Sequence, residues 1–255
     1  MDFSHRFSDR CVVRFEGVTF ACRQRPPRKK RWRPNIQLPY CNTFASIWEY
    51  DLAFQSNEID FAREIGPDCP ICGKRGCYRE IHPYSRMVID LLPYREGRVC
   101  IHRFQCKATG KTFSFLPIQL IPYCRYTAAS VLFVLLMAHD SGKSLFSFAE
   151  KELDPDCRVG GWLMRVWLPM VLLGLWAARS QLRRWYALPD PVGQNPGDVV
   201  SRLREVHACC AAFGIGARAP PDPDGLFLFL NRFSRATGRF LFGTPSQERG
   251  DRCGL

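Results

Sequence analysis

Two thiols three positions apart, in Cys69-Pro70-Ile71-Cys72-Gly73, are the residues whose types and spacing point most directly to chemistry. This spacing lets a tight turn aim two thiolates at one metal ion, and the glycine behind it eases the turn. Such a half-site needs a second pair. The run Cys106-Lys107-Ala108-Thr109-Gly110 repeats the pattern at every position but one, with Thr109 where the fourth cysteine belongs. Cys69, Cys72 and Cys106 are therefore the expected metal ligands, and zinc is the expected metal because thiolates in this layout suit it. Three readings of the gap stay open. A neighbour replaces the missing ligand, with Cys77, His82 and Cys100 as candidates. The site holds metal through three ligands. Or the metal is lost and packing keeps the fold. His102 is a poorer candidate, because four residues of strand place it ~13 Å from Cys106. The site reads as structural, since catalytic zinc usually has His or carboxylate ligands and a nearby general base.

The elements around these cysteines read as short strands: residues 87–92, 98–106 and 111–117 are each strand-length runs bounded by turn residues. From Thr127 the pattern becomes helical. Residues 127–142 read as an apolar helix capped by Thr127 and ended by Gly142. A second helix starts at Ser144, Asp154-Pro155-Asp156 forms a turn, and a third begins near Cys157 or Arg158 and runs towards Leu188, bent at Pro169. Residues 144–167 then fit a helix-turn-helix, or an ordinary helical hairpin. On the first reading Trp162 and Leu163 face the core, while Arg158, Gly160, Gly161, Met164 and Arg165 face outward. Arg158 and Arg165 are the expected nucleic-acid contacts. The pair Gly160-Gly161 counts against a helix there. A fourth helix covers residues 199–213, with Val199, Leu203, Val206 and Cys210 on one face, and residues 226–242 form a hairpin or a short helix.

Charge points to the partner class. The chain of 255 residues carries 36 Lys and Arg against 24 Asp and Glu, a formal net charge of +12. That balance favours polyanions such as DNA. The segment 23–34 is dense in Lys and Arg, and its three prolines oppose a helix. Here Arg28, Lys29, Lys30, Arg31 and Arg33 are expected to contact phosphates, with Trp32 stacking on a base or sugar. The same segment also reads as a solvated basic linker. Upstream of it, residues 11–22 alternate as a hairpin with Glu16-Gly17 at the turn.

Other functions are disfavoured. Gly142-Lys143-Ser144 and Gly110-Lys111-Thr112 resemble the end of a phosphate-binding loop, but Met137 and Gln105 stand where its first glycine is required. Neither a GxSxG nor an HExxH motif is present, so no catalytic residue is assigned. The 13 cysteines, with no secretory signal at the start, are expected to be thiols or ligands in a cytoplasmic protein rather than disulfides. The longest uncharged apolar run, residues 166–178, falls short of the ~20 residues of a membrane span. It is expected to be a buried helix, and no membrane partner is expected.

The fold class expected is α+β: a small zinc-ribbon-like β module followed by an all-α helix-turn-helix bundle. The expected division is residues 1–65 as a basic leader and arm, 66–126 as the ribbon-like module, 127–188 as the helix-turn-helix region and 189–255 as a helical extension and tail. Residues 68–167, through Cys69-Pro70-Ile71-Cys72-Gly73, the strand ending in Arg103-Phe104-Gln105-Cys106, the run Thr112-Phe113-Ser114-Phe115-Leu116-Pro117 and the stretch Val159-Gly160-Gly161-Trp162-Leu163, resemble a family of bacterial transposase-associated zinc-ribbon plus helix-turn-helix domains of uncharacterised function. The family pattern has Cys where this chain has Thr109. The resemblance implies a DNA-binding accessory or regulatory protein of a mobile genetic element, working beside a transposase or another subunit, with no defined catalytic activity. The competing reading is a protein-interaction or scaffold subunit that uses the ribbon and its Trp-rich helices.

Overall fold

The computed structural model describes residues 12–15, 18–21, 36–41, 44–190, 198–215 and 222–243. The basic arm, with Arg28, Lys29, Lys30, Arg31, Trp32 and Arg33, lies outside the described residues, as do Glu16-Gly17 and the C-terminal tail. Two compact units result, residues 1–33 and 34–255. In the first, β1 (Val12–Phe15) pairs antiparallel with β2 (Val18–Ala21) in the expected hairpin register, Phe15 opposite Val18.

The second unit is α+β. Its four-stranded mixed sheet has the order β3 (Ile36–Tyr40), β6 (Thr112–Pro117), β5 (Tyr94–Cys106), β4 (Tyr78–Leu91). β3 runs parallel to β6 and the other pairings are antiparallel. Because β3 is hydrogen-bonded into the sheet, residues 36–65 belong to the same body as the cysteine module rather than to a leader. Two helices follow β3: α1 (Ile47–Gln55), capped by the Ser46 hydroxyl, and α2 (Phe61–Ile65). The Asp51 carboxylate of α1 accepts the Cys100 N–H at 3.0 Å, fixing the helix across β5. An aromatic core joins the layers, with Phe104 stacked on Phe113 at 5.4 Å and Tyr40 against Phe61 at 5.6 Å.

Among the described residues five α-helices follow the sheet: α3 (Ala128–Ser141), α4 (Leu145–Lys151), α5 (Gly161–Leu182), α6 (Val199–Ala212) and α7 (Pro223–Thr237). The expected caps of α3 are present. Thr127 accepts from the Ser130 N–H, and Gly142 ends the helix in the left-handed region at φ 62°. The α3 start is also welded to the sheet: the hydroxyls of Thr127 and Ser130 each donate to Asp90 Oδ1 at 3.1 Å. Residues 226–242, open between hairpin and helix in the sequence, mostly form α7, where Leu226, Phe229, Leu230 and Phe233 recur at helical spacing and are buried. They belong to one core cluster with Leu203, Val206 and Cys210 of α6 and Trp167 and Leu168 of α5.

The helical pair differs from expectation in three ways. First, α5 starts at Gly161, with Gly160 as its N-cap, so Arg158 is not on it. Arg158 instead ends a 3-10 turn, Pro155–Cys157, at φ 54°, and its guanidinium meets Glu96 at 3.2 Å. Second, Trp162 and Met164 trade places, while Arg165 is exposed and Leu163 packs against the core as expected. Trp162 is 71% exposed, whereas Met164, assigned outward by the sequence reading, is fully buried. The buried stripe follows Gly161, Met164, Trp167, Leu168 and Val171. Third, the short Gly-containing turn that typifies a helix-turn-helix joins α3 to α4, which meet at 102°. Residues 152–160, including the 3-10 turn, link α4 to α5. The glycine that weakened the helical pattern has a packing role: a Cβ on Gly161 would sit 2.9 Å from Phe146 Cα, so only glycine lets α5 start that close to α4.

At 22 residues, α5 is long and apolar enough by length and composition to cross a membrane, so the short apolar run undercounted it. One face of it is core. The other carries the exposed apolar residues Trp162, Val166, Leu173 and Trp176.

Candidate metal centre

The first knuckle is a turn held by two backbone bonds, from the Cys69 N–H to Lys74 O at 3.1 Å and from the Gly73 N–H to Cys69 O at 2.8 Å. Gly73 has φ +69°, a conformation that costs other residues a Cβ clash. Residues 106–111 repeat this geometry. The Cys106 N–H donates to Lys111 O at 2.9 Å, the Gly110 N–H donates to Cys106 O at 2.8 Å, and Gly110 has φ +67°. Thr109 therefore occupies a true knuckle position, with the backbone retained and the sulfur missing.

Cys77 supplies that sulfur. A further left-handed glycine, Gly76 at φ 62°, turns the chain into β4. The β4–β5 register puts Tyr78 opposite Cys106, so Cys77 comes to rest beside the second knuckle. The Lys107 N–H donates to Cys77 O at 2.7 Å and locks the two together. The Cys106 sulfur lies 3.7 Å from that of Cys77 and 3.6 Å from that of Cys72. All four sulfurs, of Cys69, Cys72, Cys77 and Cys106, lie within 4.8 Å of one another. Four thiolates around a tetrahedral ion at ~2.3 Å from each would be about 3.8 Å apart. Too far apart for disulfides and close enough to share an ion, these four cysteines can hold a metal. Cys69 and Cys106 are buried, and Cys72 and Cys77 are half-buried.

The other candidates for the fourth ligand are elsewhere. Cys100 pairs with Ser85 in the middle of the β4–β5 ladder, six residues along the strand from Cys106. His82 falls in the register shift between Ile81 and Tyr84 and is exposed. His102 stacks on Phe61 at 4.3 Å and meets Glu80 at 2.9 Å. Burial pushes this imidazole below its usual range, with the Glu80 carboxylate pulling the other way.

The electrostatics of the cysteines follow their partners. Burial pushes the Cys106 thiol up, but the Thr109 hydroxyl and N–H, then Cys72 and Cys77, overcome it and hold the thiol down to about 6. Thr109 thus acts as a donor to a ligand sulfur instead of being a ligand. For Cys72, the Lys74 N–H pulls the thiol down, while burial and the sulfurs of Cys77, Cys106 and Cys69 push it up to about 12. One thiol that ionises readily beside another that resists is what crowded sulfurs give, because charge on one disfavours charge on its neighbour.

Cations surround the two knuckles. Lys74, Arg75, Arg79, Lys107 and Lys111 are all exposed. None of them makes an ion pair among the described residues; Arg79 is held by Gln105 Oε1 at 2.8 Å, and Lys107 Nζ lies 3.5 Å from Gly76 O. Of the carboxylates between residues 66 and 112, Asp90, opposite Arg95, and Glu96, opposite Ile89, lie at the far end of the β4–β5 hairpin, leaving Asp68 and Glu80 near the knuckles.

Of the two arginines expected to reach nucleic acid, Arg158 is engaged with Glu96. Arg165 is exposed, its guanidinium 4.9 Å from the Phe146 ring and 5.5 Å from the Trp162 ring. Glu152, near Arg165 in sequence, pairs with Lys143. Comparison with known proteins found no matching family model, no matching curated protein and no matching solved structure.

Proposed function

We propose that the protein binds DNA through a zinc-stabilised knuckle module followed by a helix-turn-helix-type helical unit, and that it has no catalytic centre of its own. The observation that carries this reading is the collar of exposed cations, Lys74, Arg75, Lys107 and Lys111 on the two turns that converge on the cysteines and Arg79 at the start of β4, none of them in an ion pair among the described residues. Zinc is the metal that best suits four thiolates in a tetrahedral cluster. Its role is to fix the turns: a site of four thiolates leaves no open coordination position, so it orders the cations that project from it. A tetrathiolate zinc centre has a net charge of −2. The five collar charges exceed it, leaving a surplus for phosphates.

The helical unit α3–α4–α5 supplies a second contact. Arg165, Trp162 and Val166 project from the first turns of α5, where side chains can reach a groove. The resemblance that residues 68–167 bear, in sequence alone, to transposase-associated domains supports reading this activity as transposition-related, exerted beside a transposase in the cytoplasm. The stripe Trp162, Val166, Leu173 and Trp176 favours a second reading, docking of α5 onto a protein partner.

A salt-dependent mobility-shift assay separates the two. Changing all five collar cations to Gln should weaken binding to every DNA sequence alike and flatten the slope of log affinity against log salt by ~0.9 per lost phosphate contact. Zinc content should not change. An unchanged slope with full zinc would assign the collar to offsetting the charge of the metal centre and would favour the protein-docking reading.

A further inference from the structure

A second cluster of ligand-type side chains lies far along the chain from the cysteines. His139 is in the last turn of α3, Asp140 follows it, and His207 projects from α6. The two imidazoles lie face to face, with centroids 4.3 Å apart and planes inclined by 16°. His139 Nδ1 lies 3.1 Å from Asp140 Oδ1. One donor atom from each of the three residues falls within 4.8 Å of the others.

We propose that His139, Asp140 and His207 form a second metal site, for a divalent cation of the zinc, nickel or copper class, that clips α6 to α3. The near-parallel rings do not aim both in-plane lone pairs at one point, so binding turns one imidazole about its side-chain bonds; donor spacing, donor type and position on the helix support the site. Donors bound at ~2.0–2.2 Å lie about 2.9 Å apart at right angles and about 3.4 Å apart in a tetrahedron, and the His139–Asp140 separation falls between these values. Imidazole with one carboxylate is the donor set these borderline ions prefer, whereas calcium and magnesium take all-oxygen shells. The site also sits at the C-terminus of α3, where the helix dipole favours a cation.

The site differs from the cysteine centre in kind. The His139 and Asp140 side chains are 25% and 37% exposed, so an ion can reach them from solvent without unfolding. Three protein ligands leave a position for water. The consequence is mechanical. The chain reaches α6 through residues 191–197, outside the described structure, and the clip adds a direct bond between α6 and α3, which already pack together. An ion bound only when both helices are docked stabilises the docked state, and increasingly so at higher free metal.

Cobalt(II) titration of the full-length chain tests the site, because thiolate ligation gives an intense charge-transfer band that imidazole and carboxylate ligation lacks. The expected result is two equivalents of cobalt, of which one develops the thiolate band and the other does not. The His139→Gln/His207→Gln variant should lose the equivalent without the band and keep the other. The exposed Asp140→Asn change, the variant least able to disturb folding, should weaken the same equivalent at least ~10-fold with the far-ultraviolet circular dichroism unchanged. Zinc or nickel should raise the Tm of the wild type above the rise seen for either variant. A single wild-type equivalent that carries the thiolate band would overturn the proposal, as would a second equivalent unaffected by all three substitutions. Uptake of one equivalent without the thiolate band would support this site and refute the cysteine centre, so the two readings fail separately.

Discussion

Replacing Cys77 by Ser removes the one ligand that the knuckle repeat does not announce. The Ser hydroxyl has nearly the shape of the thiol but is not a thiolate, so the turn and the 2.7 Å bond from the Lys107 N–H to Cys77 O survive while the fourth sulfur is lost. The expected loss of zinc affinity has a lower bound. Removing an outer partner that only orients a ligand costs 10–100-fold in other metal sites, so deleting a ligand itself should cost more than ~100-fold. Structural zinc binding in small domains is worth about 10–16 kcal/mol, and a 100-fold loss is about 2.7 kcal/mol of that. Metal is then weakened rather than abolished. The assay is competition with a chromophoric chelator at fixed pH, with Cys100→Ser and His82→Ala as controls because neither side chain belongs to the sulfur cluster. Both controls should bind as the wild type does. Thr109→Val, which keeps the turn and deletes the hydroxyl donor to Cys106, should fall between, at ~10–100-fold. If Cys77→Ser binds zinc as tightly as wild type while Cys100→Ser does not, the assignment of the fourth ligand is refuted.

Two further outcomes test the fold around the sites. Trp167→Ala, at a side chain 1% exposed and 4.8 Å from the Tyr126 ring, should destabilise by ~3–5 kcal/mol, whereas Trp162→Ala, at 71% exposed, should stay within ~0.5 kcal/mol and lose DNA affinity instead; denaturant titration and a mobility shift measure both. Burial raises the carboxyl of Asp90 above its ordinary value, although the Ser130 hydroxyl, the Leu92 N–H and the Thr127 hydroxyl pull it down, so the native state holds a proton that the unfolded chain releases near pH 4. Stability attributable to this group therefore falls as pH rises from there through the raised native value, and Asp90→Asn, which keeps the acceptor oxygen, should flatten that decline in a pH series of thermal melts.

Much of the fold could be read locally, because the features that define it are local. Thr127 and Gly142 mark α3 through capping chemistry that depends on neighbours three or four residues away. The start of α5 could not be read this way. The 3.6-residue pattern alone cannot say whether Trp162 or Met164 faces the core, since both are apolar and two residues apart. The position of Gly161 against Phe146 decides it, and that contact comes from a different helix. The pairing of β3 with β6 was hidden for a similar reason: a parallel partner more than seventy residues away leaves no signature in either strand.

The metal centre shows where sequence spacing stops being enough. Both knuckles were legible because each is a closed local turn, and Thr109 was correctly placed in the second. The substitute ligand was legible only as one of three candidates, because Cys77 belongs to no motif by its distance from Cys72. Its place is set by a β ladder whose register puts Tyr78 opposite Cys106. Cys77, His82 and Cys100 all lie on or beside that ladder, and the register alone separates them: moving along a strand by one residue shifts a side chain by about 3.3 Å and turns it to the other face. Within that tolerance, only the residue immediately before Tyr78 can reach the second knuckle. The knuckle backbone at residues 106–111 therefore serves to present Cys106 and the Thr109 donors, while the fourth sulfur comes across the sheet from Cys77. The sulfur that the second turn lacks is thus available from Cys77, immediately before the neighbouring strand β4.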